Sequence, residues 1–539
     1  MSPQTSLPRV GVVQTTRLTA LLVAAGLGVA ACSAEVAVTA TRSDVSEAAT
    51  TAPPLEPGTP DTEADGTTPS TSGGETTTSG EPATPPPATA TATAPIVVDP
   101  DAINFGPNKP TQPYDNFLLA TLADLDIWWE QTYPEVYGQA WQPLRGDVYA
   151  AYPQRPDDLP GCGEPRTSYD DVQQFVAFYC GLDDFIIYDD GDGGLLAQLA
   201  DNFGAGTIGI VLAHEYGHAI QQRSGVLAQN LPTVTTEQQA DCFAGAWAGR
   251  AARGEGGITF SDADVRSGLI AMLEVRDPVG IDQFTPGGHG SGFDRVGAFQ
   301  VGFREGAVRC GDLIDDPLPL MPNQFNDRDD FANEGNAPFG FDAGDPETGQ
   351  GAELFGFLVP DLNLFWGVDA ALANFTPLTL VPVQSDAEAA CPDLEPGLEN
   401  GAALCPSNNT VFLNEPVARN LYEQKTFGDF SLGYLIGVAW AEAAQRSFGS
   451  TIEGERRELI NDCLAGAWVQ TVIPVDFELS QPRAAGRTSI VSPGDLDEAV
   501  RTAILIADLG AADNVLGSSF EKVDAFRDGV IGGLDACAN

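Results

Sequence analysis

Residues 214–218 read His-Glu-Tyr-Gly-His, and they hold two of the three histidines in a 539-residue chain. On a helix, positions four apart share one face, so both imidazoles can address a single ion. The glutamate between them is of the type that serves zinc hydrolases as general base, taking a proton from a water on the metal. His214 and His218 are therefore candidate zinc ligands, and Glu215 is the candidate catalytic base. Alone the pattern is weak, because a surface helix can carry it by accident. What strengthens it is Glu237, with Asp241 four residues further on. A glutamate from a second helix supplies the third zinc ligand and leaves one position open. Asp241 can then accept the other ring proton of a ligand histidine and fix its tautomer. Taken singly, the two acids would read as a solvated helix face.

The surrounding chain has the elements this chemistry requires. Apolar residues at 208–212 run into Ala213-His214-Glu215 and continue through Ala219-Ile220 to Gly225, a helix stop. After the Leu231-Pro232 turn, residues 233–236 start a second helix whose one face carries Glu237 and Asp241. The third histidine, His289, sits in Gly287-Gly288-His289-Gly290. It reads either as a turn residue without chemistry or as a catalytic donor to the oxyanion of a tetrahedral intermediate. Residues 184–190 read as a strand, more simply a core strand than an edge to which an extended peptide adds.

Seventy-six acidic against 26 basic side chains give a formal net charge of −50. Such a chain repels nucleic acid and anionic lipid surfaces, so nucleic acid is excluded as a partner. Solubility accounts for the charge more simply than an acidic groove selecting basic substrates. The N-terminus reads as an address. Arg9 and Arg17 precede an apolar run, Leu18 to Ala31, that is too short for a standard membrane-spanning helix. It ends Val29-Ala30-Ala31-Cys32, which resembles a bacterial lipobox and implies a signal peptide over 1–31 and lipidation of Cys32. Residues 32–104, rich in Thr, Pro and Ser, read as a disordered tether that cannot bury enough apolar surface to fold. The expected location is extracytoplasmic, with a lipid anchor in the membrane at the bacterial cell surface, where disulfides form.

Beyond the tether the chain repeats itself. Gly290-Ser291-Gly292-Phe293-Asp294-Arg295-Val296, followed by Cys310, returns as Gly517-Ser518-Ser519-Phe520-Glu521-Lys522-Val523, followed by Cys537. Asp241-Cys242 with Ala244-Gly245-Ala246-Trp247 returns as Asp462-Cys463 with Ala465-Gly466-Ala467-Trp468, and Asp124-Leu125 with Trp129 as Asp361-Leu362 with Trp366. Two copies of one domain are expected, at 105–312 and 350–539, joined by a linker at 313–349. Of nine cysteines, Cys32 aside, four fall in each copy at matching positions. A repeated domain should repeat its bridges, which predicts Cys162–Cys180, Cys242–Cys310, Cys391–Cys405 and Cys463–Cys537. Aligning Gln445-Arg446-Ser447 with Gln222-Arg223-Ser224 puts Gly437, Val438 and Ala441 opposite His214, Glu215 and His218. Glu458 and Asp462 keep the places of Glu237 and Asp241, yet one carboxylate without histidines does not hold zinc. The second copy is expected to be a degenerate pseudo-peptidase, leaving one zinc per chain.

Four segments carry a resemblance. HEYGHAIQ at 214–221, EQQADCFAGAWAG at 237–249, the FYC…IIYDD run at 178–190 and HGSGFDRVGAFQVGF at 289–303 resemble the neutral zinc metallopeptidase family of bacteria. The resemblance covers most of 105–312. It implies a zincin-like fold, one zinc per active domain and peptide hydrolysis, with His214, His218 and Glu237 as ligands and Glu215 as base. The expected fold class is α+β, as two tandem zincin-like, helix-rich domains, the second without its metal site. The expected function is that of a membrane-anchored, extracytoplasmic zinc endopeptidase acting on polypeptides. Two alternatives stand beside it: a non-catalytic surface scaffold with structural zinc, and an enzyme of cell-wall peptides.

Overall fold

The computed structural model describes residues 98–539, apart from 156–158, 346–350, 371–373, 425, 476–477, 485–486, 488–490, 511–517 and 539. The expected signal peptide, Cys32 and the tether up to residue 97 lie outside the described residues. Among the described residues no helix is long and apolar enough to cross a membrane.

Helix α1 (Asp115–Tyr137) buries Leu118, Leu122, Leu125 and Trp129, whose spacing of three and four sets one face against the core. Four short strands form one sheet: β1 (Ile103–Asn104), β2 (Val148–Ala151), β3 (Ala177–Cys180) and β4 (Phe185–Asp189), in the order β1-β2-β4-β3. β4 runs parallel to β2 and antiparallel to β3, and every one of its residues is buried. A continuous apolar run is what an interior strand needs. Residues 184–190 therefore supply a core strand, and the sheet edges belong to β1 and β3.

Against this sheet pack α2 (Leu195–Phe203) and α3 (Ala205–Ser224); α3 in turn meets α4 (Thr233–Ala252) and α5 (Asp262–Glu274), and both of these meet α6 (Gly292–Glu305). α3 is buried without a break from Gly206 to Gln221, so its run of small and apolar residues is that of a helix enclosed on all sides. It ends at Gly225, whose φ of 82° gives the left-handed cap. His214, Glu215, His218 and Gln221 are polar exceptions on this enclosed helix, and each must be compensated within the protein. α4 meets α6 backbone to backbone, since a Cβ at Gly245 or Gly302 would fall on the carbonyl oxygen of Phe299 or Cys242.

A similar order of elements occupies 354–532. The helices are α7 (Leu354–Leu364), α8 (Glu415–Glu423), α9 (Phe430–Ser447), α10 (Glu455–Val472), α11 (Asp495–Gly510) and α12 (Ser519–Gly532). Strands β5 (Thr379–Val383), β6 (Ala402–Cys405) and β7 (Thr410–Asn414) form a sheet in which β7 is parallel to β5 and antiparallel to β6. α10 and α12 also meet through glycines, Gly466 on the Phe526 carbonyl and Gly529 on that of Cys463. Trp247 Nε1 donates to Asp124 and Trp468 Nε1 to Asp361, each at 2.8 Å. Disulfides join Cys162 to Cys180, Cys242 to Cys310, Cys391 to Cys405 and Cys463 to Cys537. The class is α+β, rich in helix, with small sheets.

The two parts of the chain share one apolar core. Asp497 of α11 accepts the backbone N–H groups of Gly292 (3.2 Å) and Phe293 (2.7 Å), the first residues of α6. An acid from one part thus caps a helix of the other, where the helix dipole favours negative charge. Arg527 lies over the Phe293 ring, 4.7 Å from its centroid, and Gln300 donates to the Phe520 carbonyl.

Candidate metal centre

α3 and α4 cross at Gly217, where a Cβ would stand 2.8 Å from the Ala240 Cα. That approach sets Glu237 against both imidazoles. Its Oε2 is 3.2 Å from His214 Nε2, and its Oε1 is 3.5 Å from His218 Nε2. All three side chains are buried, and their ligand atoms lie within 4.8 Å of one another. The outer ring nitrogens are occupied: His214 Nδ1 is 2.7 Å from Asp241 Oδ1, and His218 Nδ1 is 2.9 Å from Gln221 Oε1. With Nδ1–H donating outward, each Nε2 keeps its lone pair for the centre. Asp241 is itself clamped by Arg295, whose Nε and one terminal nitrogen donate to its two oxygens at 2.8 Å each.

Two imidazole nitrogens and a carboxylate oxygen, oriented by neighbours and aimed at one point, are a donor set that fits zinc. The electrostatics agree. Burial works against charge on both histidines, yet Asp241 and Glu237 push His214 up to about 10, and Glu237 raises His218. Burial likewise opposes ionisation of Glu237 and Asp241, but His218 and His214 hold Glu237 well below the usual carboxylate range, and Arg295 with His214 lowers Asp241. Protons and a metal ion compete for such a site, so its donors suit a cation in the place that protons otherwise fill.

Glu215 is 3% exposed, and its Oε2 is buried without a hydrogen-bond partner among the described residues. Burial raises its carboxyl, while the two imidazoles pull it back. With Ala177, His214, Met272, Val275 and His289 it lines a cavity of about 60 Å³. His289 is thereby brought to the centre. Its Nδ1 lies 3.4 Å from Asp277, which also accepts the Gly290 N–H at 2.8 Å. Burial opposes charge on Asp277, but His289 and these backbone donors hold it below its ordinary value.

Residues 106–312 match the family described as "Putative neutral zinc metallopeptidase". Every donor of the centre falls in this segment, as do Glu215, Asp241, Arg295 and His289. Uncharacterized proteins of Mycobacterium bovis and Mycobacterium tuberculosis are each 35% identical over 169 residues, 27% of this chain and 55% of theirs. The uncharacterized protein YpfJ of Escherichia coli is 28% identical over 223 residues, 36% of this chain and 68% of its own. The chain thus spans about half the length of the mycobacterial relatives. No solved structure matches.

Three positions escaped the sequence reading: Gln221, Arg295 and Asp277. Gln221 stands three residues after His218 on the same helix face, a spacing that could have flagged it. Asp277 has no local signal, and Arg295, though it lies in the repeated 290–296 segment, has nothing near it in sequence that pairs it with Asp241. The glycine at the helix crossing, Gly217, makes a testable case. Gly217→Ala pushes a methyl group into the α4 backbone and should cost about 1–3 kcal/mol of stability while loosening the Glu237 donor. Zinc-dependent thermal stabilisation should shrink in this variant; an unchanged zinc response would contradict the role of the crossing.

In the second part of the chain, Gln445 Nε2 donates to the Arg457 carbonyl as Gln221 Nε2 does to that of Thr236. These bonds span 12 and 15 residues, so the connection is shorter there. Anchoring the comparison on Gln445 and Gln221 shifts the expected alignment by one residue. Glu442, rather than Ala441, then stands opposite His218. Glu442 is held by Arg446 (2.8 Å), Arg457 Nε (2.7 Å) and Asn461 (3.0 Å), while Tyr434 (2.6 Å) and Lys522 (2.7 Å) hold Asp462.

Proposed function

We propose that this chain is a zinc-dependent endopeptidase whose single centre lies in residues 105–312. One observation carries the reading: Glu215 has a buried, unpartnered oxygen beside a three-donor set already oriented for a metal. His214, His218 and Glu237 would hold a zinc ion, which would supply the positive charge to polarise a carbonyl oxygen and acidify a water. Glu215 accepts the proton of the attacking water and returns it to the leaving nitrogen as the C–N bond breaks. His289, oriented by Asp277, donates a hydrogen bond to the oxygen on which charge develops. The β3 edge, ending beside the cavity at Ala177, aligns an extended polypeptide by strand addition.

Residues 350–539 are a duplicated copy that has exchanged the metal for ion pairs around Glu442 and Asp462. Its role is support. Asp497 caps α6, and α6 carries the Arg295 that clamps Asp241 onto His214. The protein acts outside the cytoplasm, held to the membrane by lipid on Cys32 and the tether of residues 32–104. Casein incubated with the full chain tests the activity. Hydrolysis should cease on chelation and return with zinc; hydrolysis indifferent to chelator would rule this reading out.

A further inference from the structure

A second cluster of acids lies far from the histidines, where residues 326–337 meet the starts of α9 and α11. Oxygens of Asp429, Asp495 and Glu498 come within 4.8 Å of one another. Asp429 and Asp495 are each only 4% exposed. Each of the three carboxylates has one oxygen fixed by a backbone N–H: Asp429 by Ala337 (2.8 Å), Asp495 by Ser492 (2.7 Å) and Glu498 by Phe430 (2.8 Å). The other oxygen of Asp429, Oδ1, is buried with no hydrogen-bond partner among the described residues. At Gly428 a Cβ would fall on both Glu498 Oε1 and Asn336 Oδ1, so the second oxygen of Glu498 meets one further acceptor there, an amide oxygen that also accepts the Asp429 N–H at 2.8 Å. Beside them opens a cavity of about 310 Å³, lined by Asp330, Asn336, Asp429 and Asp495 among others.

Like charges buried together need a counter-charge. Among the described residues no lysine or arginine forms an ion pair with any of the three. Arg276 is committed to Asp497 and Arg501 to Glu274. The starts of α9 and α11 contribute about half an elementary charge each, against three carboxylates. Burial and the neighbouring acids raise all three carboxyls, Arg276 only partly offsetting this at Glu498, so protons fill the place that a cation would otherwise take.

We infer that Asp429, Asp495 and Glu498 bind a hard divalent cation, of which calcium is the best fit. The donors are all oxygen, where the first centre offers nitrogen, and calcium accepts irregular sets of carboxylate and amide oxygens. The ion ties the 326–337 segment to two helices of the second part of the chain. That role is independent of peptide hydrolysis.

The test uses the full chain, stripped of metal, reloaded with zinc and titrated with calcium chloride. The thermal midpoint should rise saturably, with one calcium bound per chain by equilibrium dialysis. Asp429→Asn should weaken that binding by about tenfold or more. Its calcium-free midpoint should equal or exceed that of the parent, because repulsion is relieved. No calcium-dependent shift in the parent would overturn the inference, as would the same shift in Asp429→Asn. A midpoint that ignores calcium but rises on mild acidification would assign the cluster to protonated carboxyls instead.

Discussion

Glu215→Gln should lower peptide hydrolysis by about 10²–10⁴-fold while leaving bound zinc and the thermal midpoint at parent values. Glutamine keeps the size and one carbonyl oxygen but cannot accept the proton of water. Glu215 is not among the three converging donors, so the metal site should survive the change. Burial already raises the Glu215 carboxyl, so a neutral glutamine in its place does not weaken the fold. Loss of activity therefore cannot be traced to unfolding. Near-parent hydrolysis by the variant would remove Glu215 from the mechanism.

The second large effect belongs to Arg295. Its side chain is 3% exposed and its partner Asp241 is fully buried. Arg295→Met leaves that carboxylate without its bidentate partner, at an expected cost of about 3–5 kcal/mol. It also frees Asp241 from the orientation in which it holds His214 Nδ1. Zinc affinity should fall by about 10–100-fold, measured by competition with a chromophoric chelator, and stability by chemical denaturation. Arg295→Lys, which keeps the charge and loses the fork, should recover part of the stability and less of the affinity. A variant that unfolds more easily yet binds zinc as the parent does would make Arg295 a structural residue only.

Much of the centre was legible because an enclosed helix exposes its purpose. Along 206–221 nearly everything is small or apolar, so His214, Glu215 and His218 stand out as side chains that burial alone would not select. The second helix was legible too, since Glu237 and Asp241 share a face and the Leu231-Pro232 turn announces its start. Arg295 and Asp277 were not, because their contacts close loops of 54 and 12 residues that no local pattern encodes. The place of β4 was half legible. Its continuous apolar run said core, but only the strand order shows that β3 holds the edge beside it. Around Glu442 the helical pattern was legible, while an anchor on the Gln445 and Gln221 hydrogen bonds gives a register one residue away from an anchor on Gln-Arg-Ser. The Asp497 cap on α6 joins residues more than 200 apart, and nothing short of the packed core shows it.

Zinc content per chain tests the central claim most directly, measured on the full protein and on His218→Ala. One zinc in the parent and none in the variant is the predicted result. Two zinc ions per chain, or one that persists without His218, would contradict a single centre built from His214, His218 and Glu237.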